Sequence, residues 1–187
     1  MKIAKCSLES SGPYSQSKVI ISERGPKELH KDFEKRAWKE RTHVNGDGEV
    51  FIPPMQFANS IKEAAKYLSI SIPGQRQAKY TKNFESGIMV LDPLMLNIQI
   101  DDIPSEWLFV PSDGKPGGGK RVWKCFPLIK SWKGVVSYYI IDDIITQDVF
   151  DQVLRASGLL IGIGRFRPRN RGYYGRFKVK EISWTEG

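Results

Sequence analysis

The stretch Ile161–Lys180, IGIGRFRPRNRGYYGRFKVK, holds seven basic residues and no acidic one. Arg165, Arg167, Arg169, Arg171, Arg176, Lys178 and Lys180 alternate with Phe166, Tyr173, Tyr174 and Phe177. Gly162, Gly164, Gly172 and Gly175 let the backbone come close to whatever the arginines hold. Guanidinium groups match phosphate oxygens and aromatic faces stack on bases, so this residue mixture points to a single-stranded nucleic acid. In an extended chain, Arg165, Arg167 and Arg169 would project to one side and line up their charges. Tyr173 and Tyr174 then cannot both face inward, and one of them is free to stack.

Working outward, the stretch leads into a closing strand, Phe177 to Trp184, and follows a helix over Asp143 to Leu160 that Thr146 can cap. Upstream, Val122 to Ile129 and Val135 to Ile141 read as strands, as do Ile88 to Leu91 and Trp107 to Val110. The clearest amphipathic helix starts at Pro54, with Phe57, Ile61, Ala64, Ala65 and Leu68 at helical spacing. Val50 to Ile52 is a strand fragment before it, and Asn45-Gly46-Asp47-Gly48 is a turn. Pro26 to Lys39 carries Leu29, Phe33, Ala37 and Trp38 at helical spacing, Val19 to Ile21 is a short β-branched run, and Ile3 to Leu8 alternates as a first strand. Pro73 to Lys82 reads as a loop. The order strand, helix, strands, helix, strand is a split βαβ, so the fold class is α+β with a ferredoxin-like or RRM-like βαββαβ core. Residues 1–187 form one domain. A β-rich insertion over about 73–121 is too long for a simple connection and should project from the sheet.

The net charge of +8 favours polyanions, and the 40% hydrophobic fraction is enough for a core. Two cysteines, Cys6 and Cys125, make neither a zinc site nor a disulfide framework. No apolar run reaches the length of a membrane span, and MKIAKCSLESSG has no apolar signal core, so a cytoplasmic protein is expected. Further phosphate contacts are expected from the loop holding Arg76, Lys79 and Tyr80, and from the SDGKPGGGKR tip with Lys115, Lys120 and Arg121. Catalysis has little support. His30 and His43 are not placed together, Asp101-Asp102 and Asp142-Asp143 read as turn or helix caps, and Gly117-Gly118-Gly119-Lys120 lacks the Walker spacing. No cofactor and no metal are expected.

The segment Gly162-Ile163-Gly164-Arg165-Phe166-Arg167, followed by Gly172-Tyr173-Tyr174-Gly175-Arg176, resembles the glycine-rich hallmark of the RAMP superfamily. That family includes the guide-RNA-binding backbone subunits of CRISPR effector complexes. Val50-Phe51-Ile52-Pro53-Pro54 resembles their helix entry, with Pro54 where glycine is usual, and Ser60-Ile61-Lys62 falls on their Ser-Leu-Lys. The specific motifs cover about thirty residues, and the order of elements covers most of the chain. The resemblance implies an RRM-like domain that cradles guide RNA near the helix entry and the glycine-rich segment. It adds Lys62 to the candidate contacts and makes the middle insertion similar to a protruding thumb. Target-cleaving members carry an acid after the first strand; Ser10 to Lys18 has none, which implies a non-cleaving member.

Arg165, Arg167, Arg169, Arg171, Tyr173, Tyr174, Arg176, Lys178, Lys62, Arg76, Lys79, Tyr80, Lys115, Lys120 and Arg121 are therefore the candidate nucleic-acid contacts. The expected partner is single-stranded RNA, with copies side by side as a homo-oligomer or as subunits of a ribonucleoprotein, and with no membrane. The rival readings are a phage-type protein that binds and anneals single-stranded DNA, a histidine-dependent RNA endonuclease, and an inhibitor that replaces a subunit of an effector complex.

Overall fold

The computed structural model describes residues 1–114, 117 and 119–186. A four-stranded antiparallel sheet runs in the order β3-β7-β1-β8, built from β1 (Lys2–Ser10), β3 (Ile88–Met89), β7 (Lys133–Ile140) and β8 (Phe177–Glu186). With α2 (Pro54–Leu68) after β1 and α4 (Gln147–Ala156) before β8, this is the ferredoxin-like βαββαβ arrangement. Alternation in β1 sends Ala4, Cys6 and Leu8 inward and leaves Lys5 exposed on the opposite face. The inward set packs with Phe57, Ile61, Ala64 and Ala65 of α2 and with Phe150, Val153 and Leu154 of α4. Burial at this packed centre pushes the Cys6 thiol up to about 12, so it behaves as a small hydrophobe. Thr146 caps α4 by accepting a hydrogen bond from the Val149 amide at 3.4 Å.

Two excursions leave this core. Between β1 and α2 the chain makes α1 (His30–Ala37), a 3₁₀ turn (Trp38–Arg41) and β2 (Glu49–Ile52). Val19 to Ile21 forms no strand; Val19 and Ile21 are exposed. The turn at Asn45 closes as expected, its side-chain oxygen accepting from the Asp47 and Glu49 amides. Between β3 and β7 lie β4 (Leu94–Gln99), which pairs with β2, and the hairpin of β5 (Ser105–Pro111) and β6 (Arg121–Pro127). The large excursion thus spans 90–132 rather than 73–121, because α3 (Thr81–Gly87) and β3 return the chain to the sheet first.

The hairpin is fastened at its base. Glu34 of α1 is buried and paired with Arg41 at 2.8 Å, and its other oxygen accepts from the Cys125 amide at 3.0 Å. Arg41 Nε donates to the Cys125 carbonyl at 3.1 Å, and its guanidinium lies 4.8 Å from the centre of the Phe126 ring. From that base, strands of seven residues reach about 20 Å outward.

Candidate nucleic-acid interface

β1, β7 and β8 bring their connecting loops to one end of the sheet, where α2 begins. Phe57 anchors the first turn of α2 there, edge-on to Trp132 at 5.9 Å and to Phe177 at 6.2 Å. No acidic residue occupies that first turn, so the positive end of the helix is uncompensated. The loop after β1 and the glycine-rich loop before β8 are stitched together. Gly175 N donates to the Pro13 carbonyl at 2.8 Å, Arg165 N to Ser15 at 2.9 Å, and Ser11 N to Arg176 at 2.9 Å. Gly164, at φ 77°, lies against the Tyr14 ring and the Ser15 carbonyl, where a Cβ would collide. Gly175, at φ 80°, is held as tightly against the Ile163 carbonyl.

The glycine-rich segment is therefore a folded loop and not an extended arm. Phe166 and Arg171 also adopt positive φ, and Pro168–Asn170 forms a 3₁₀ turn. The expected extended line of Arg165, Arg167 and Arg169 is not formed, because the segment turns: Arg165 packs against Phe126 while Arg167 and Arg169 both reach Glu63. Arg165 points inward. Its guanidinium lies 3.8 Å from the centre of the Phe126 ring and 5.2 Å from that of Tyr174, and Nε donates to Ser15 Oγ at 3.2 Å. Its Nη2 is buried without a hydrogen-bond partner. Burial lowers its pKa from the ordinary value, while nearby Tyr174 and Glu106 oppose the shift. Arg167 Nη2 donates to Glu63 Oε1 of α2 at 2.6 Å, and Arg169 approaches the other Glu63 oxygen at 3.8 Å.

Arg165 and Arg167 nevertheless meet in one cleft of about 310 Å³, with Ser17, His43, Gln56, Asn59 and Asn170. Gln56 Oε1 accepts from Tyr14 Oη at 2.8 Å, which leaves its amide NH₂ as a donor. The cleft thus combines two guanidinium groups, neutral donors and a helix start, with Glu63 at its edge. Such a set can hold a phosphate. Sequence reasoning misses Ser17, Gln56, Asn59 and Asn170, and it treats His43 only as a candidate catalyst. Gln56 and Asn59 are three residues apart at the start of α2, and that spacing next to the helix-entry motif is the signal that could have found them.

The other candidates divide. Tyr173 is 64% exposed, whereas Tyr174 is buried and its hydroxyl donates to Glu106 of the hairpin, so of these two tyrosines it is Tyr173 whose ring is free to stack. Arg171 is exposed on the same loop. Lys62 flanks the Gln56–Asn59–Glu63 stripe of α2. Arg176 turns away to the Leu159 carbonyl, and Lys178 and Lys180 flank Glu9 at 3.7 Å on the open face of the sheet. Arg76 and Lys79 lie beyond the far end of α2, a helix about 22 Å long whose other end meets the cleft. Tyr80 packs into the core and offers no face to a base. Lys120 and Arg121 are at the hairpin tip, where Arg121 Nη2 donates to the Phe109 carbonyl at 2.7 Å; Lys115 lies outside the described residues. Asp101 pairs with Lys39 at 2.5 Å and Asp142 caps the turn at Ile144. Among the described residues no three His, Cys, Asp or Glu side chains form a metal cluster, and no helix is long and apolar enough to cross a membrane.

His43 makes the cleft pH-sensitive. Burial, and then the charge of Lys18, lowers its pKa from 6.5. Below about pH 6.5 the unfolded chain therefore takes up more protons than the folded one, and stability declines as pH falls through that value. An anion in the cleft acts oppositely by stabilising the imidazolium. Oligonucleotide affinity should rise as pH drops from about 7.5 to about 5.5, and His43→Ala should flatten that rise in an anisotropy titration.

No protein-family model matches the chain, and no curated protein sequence matches it. Among solved structures, the chain is similar to one in the cryo-EM structure of type III-B Cmr-beta bound to cognate target RNA. The TM-score is 0.52 and the identity 11%, over 98% of this chain and 60% of that one. The likeness is one of fold, and this chain spans about 60% of that neighbour's length. A chain from a CRISPR RNA-guided surveillance complex matches at TM-score 0.33 and 12% identity, over 84% of this chain and 56% of that one, too weakly to add to it.

Proposed function

We propose that this chain is a non-catalytic protein that binds single-stranded RNA, a RAMP-type subunit whose copies assemble side by side along a guide RNA. The observation that carries the reading is the convergence of Arg165, Arg167 and the start of α2 on one cleft at the end of a ferredoxin-like sheet. Tyr173, exposed on the same glycine-rich loop as Arg165 and Arg167, is the ring on which a base of that strand would stack. The fold shared with a chain of an RNA-bound CRISPR complex supports the choice of RNA.

Competition between RNA and DNA oligonucleotides of one sequence tests it. RNA should win, because its 2′-hydroxyl is the only added group. Affinity should fall with salt at a log–log slope of about −0.7 per phosphate, and Arg167→Ala should flatten that slope by about one such unit. Tyr173→Ala should cost about 1–3 kcal/mol. Equal or tighter binding of DNA would replace the reading with a DNA-annealing protein, and binding to neither would end both.

One observation favours a second reading, RNA cleavage. His43 lines the cleft beside Arg165 and Arg167, and its lowered pKa keeps it in the neutral form that a general base needs. His30 lies in a different cavity, so the two histidines do not form a pair. Strand scission that disappears in His43→Ala would select this reading.

A further inference from the structure

The structure assigns a second ligand site, a cavity between α1 and the β5–β6 hairpin that takes a nucleotide: one base with its phosphate. The cavity measures about 400 Å³. That is within the size range of small-molecule sites and suits a mononucleotide. Ile20, Phe33 and Val122 supply apolar wall, and Lys120 and Lys124 line it from the hairpin, with Lys124 Nζ donating to the Ser112 carbonyl at 3.3 Å. Arg41 also lines it, with Nε and Nη2 committed to the Cys125 carbonyl and to Glu34, leaving Nη1 uncommitted. Among the described residues Glu34 is the one acid lining the cavity, and it is already neutralised by Arg41. The lining is thus cationic and partly apolar, which suits a phosphate joined to a flat heterocycle better than a bare ion.

This site is distinct from the cleft at α2. One arginine of each site contacts Phe126, with the Arg41 guanidinium 4.8 Å and the Arg165 guanidinium 3.8 Å from its ring centre. The two lining sets have no residue in common. The inference therefore does not need the RNA-binding reading of the cleft. The nucleotide has two possible sources, a free mononucleotide or one unit of a bound strand.

Both sources can be tested on the full chain by amide NMR titration with the four nucleoside monophosphates, with inorganic phosphate as the control. Nucleoside monophosphates should shift the Ser22, Phe33 and Val122 amides at millimolar concentration, and inorganic phosphate should shift them far less. Lys120→Glu with Lys124→Glu should weaken that binding about tenfold or more, since one hydrogen bond between ionised groups is worth about that factor. Val122→Trp, which fills the cavity without changing charge, should weaken it as much. Arg167→Glu should leave it intact. If the lysine pair also weakens oligonucleotide binding, the occupant is a unit of the strand. If only mononucleotide binding is lost, the occupant is free nucleotide. Absence of shifts, equal shifts with inorganic phosphate, or indifference to both the lysine pair and Val122→Trp would overturn the assignment.

Discussion

Glu34→Ala should cost about 3–5 kcal/mol of stability and release the β5–β6 hairpin from α1. The carboxylate is buried and both of its oxygens are used. Arg41 donates to them at 2.8 and 3.0 Å, and the Cys125 amide donates to Oε2 at 3.0 Å. Alanine would leave a guanidinium that is only 12% exposed without its counter-charge and a strand amide without its acceptor. Glu34→Gln keeps an acceptor but not the charge, so its loss should be smaller. Denaturant melts would give the energies, and hydrogen exchange at the Cys125 amide would show whether the hairpin base opens first. A loss under about 1 kcal/mol, the size of an exposed pair, would mean that this ion pair does not hold the hairpin.

The same buried pair shows why part of the fold was legible in the sequence and part was not. Helix α2 and the strands of the main sheet carry their own periodicity. Phe57, Ile61, Ala64 and Ala65 repeat at helical spacing, and Ala4, Cys6 and Leu8 alternate, so their local pattern and their burial agree. Glu34 breaks that agreement. It is a charge in a polar helix, and only Arg41 and a strand some ninety residues away make it a core residue. Strand β4 escapes a sequence reading for a related reason. Leu94, Leu96 and Ile98 do alternate with Met95, Asn97 and Gln99, but Pro93 and Pro104 bracket the run, Asn97 takes a positive φ within it, and its amide donates to the Glu49 side chain, so the pairing with β2 is irregular. Helix α3 is seven residues long, with Phe84 its one large buried side chain.

The candidate site divides along the same line. The chemistry of the glycine-rich segment was legible in its composition, but the direction of each arginine was not. Direction depends on Gly164 and Gly175 at positive φ and on contacts with Ser15 and Pro13, which lie far away in sequence. The arrangement that results ties the cleft to the hairpin. Arg165 stacks on Phe126 at the base of β6, and Tyr174, shortly before β8, bonds to Glu106 of β5. A ligand that draws on Arg165 therefore acts on a residue that also positions the hairpin.

Arg165 is for that reason the most informative single residue to replace. Arg165→Met should weaken single-stranded RNA binding by roughly 10- to 100-fold while changing the stability of the free protein much less, by about 1 kcal/mol or under. Methionine can keep the contact with Phe126, so the packing survives. What is removed is a half-buried charge whose desolvation is offset in part by Ser15 Oγ, Tyr174 and Glu106, so the loss of those partners and the relief of burial largely cancel. A residue kept for stability would behave oppositely, since stability and affinity would fall together. Arg165→Lys separates charge from shape. The ammonium keeps the charge but lacks the planar fork that stacks on an aromatic ring and grips two oxygens, so its affinity should lie near that of Arg165→Met. Thermal melts and anisotropy titrations of the three proteins would decide. Wild-type affinity in Arg165→Met would remove the cleft from consideration as the phosphate site, and a melting temperature that falls with the affinity would make Arg165 a structural residue only.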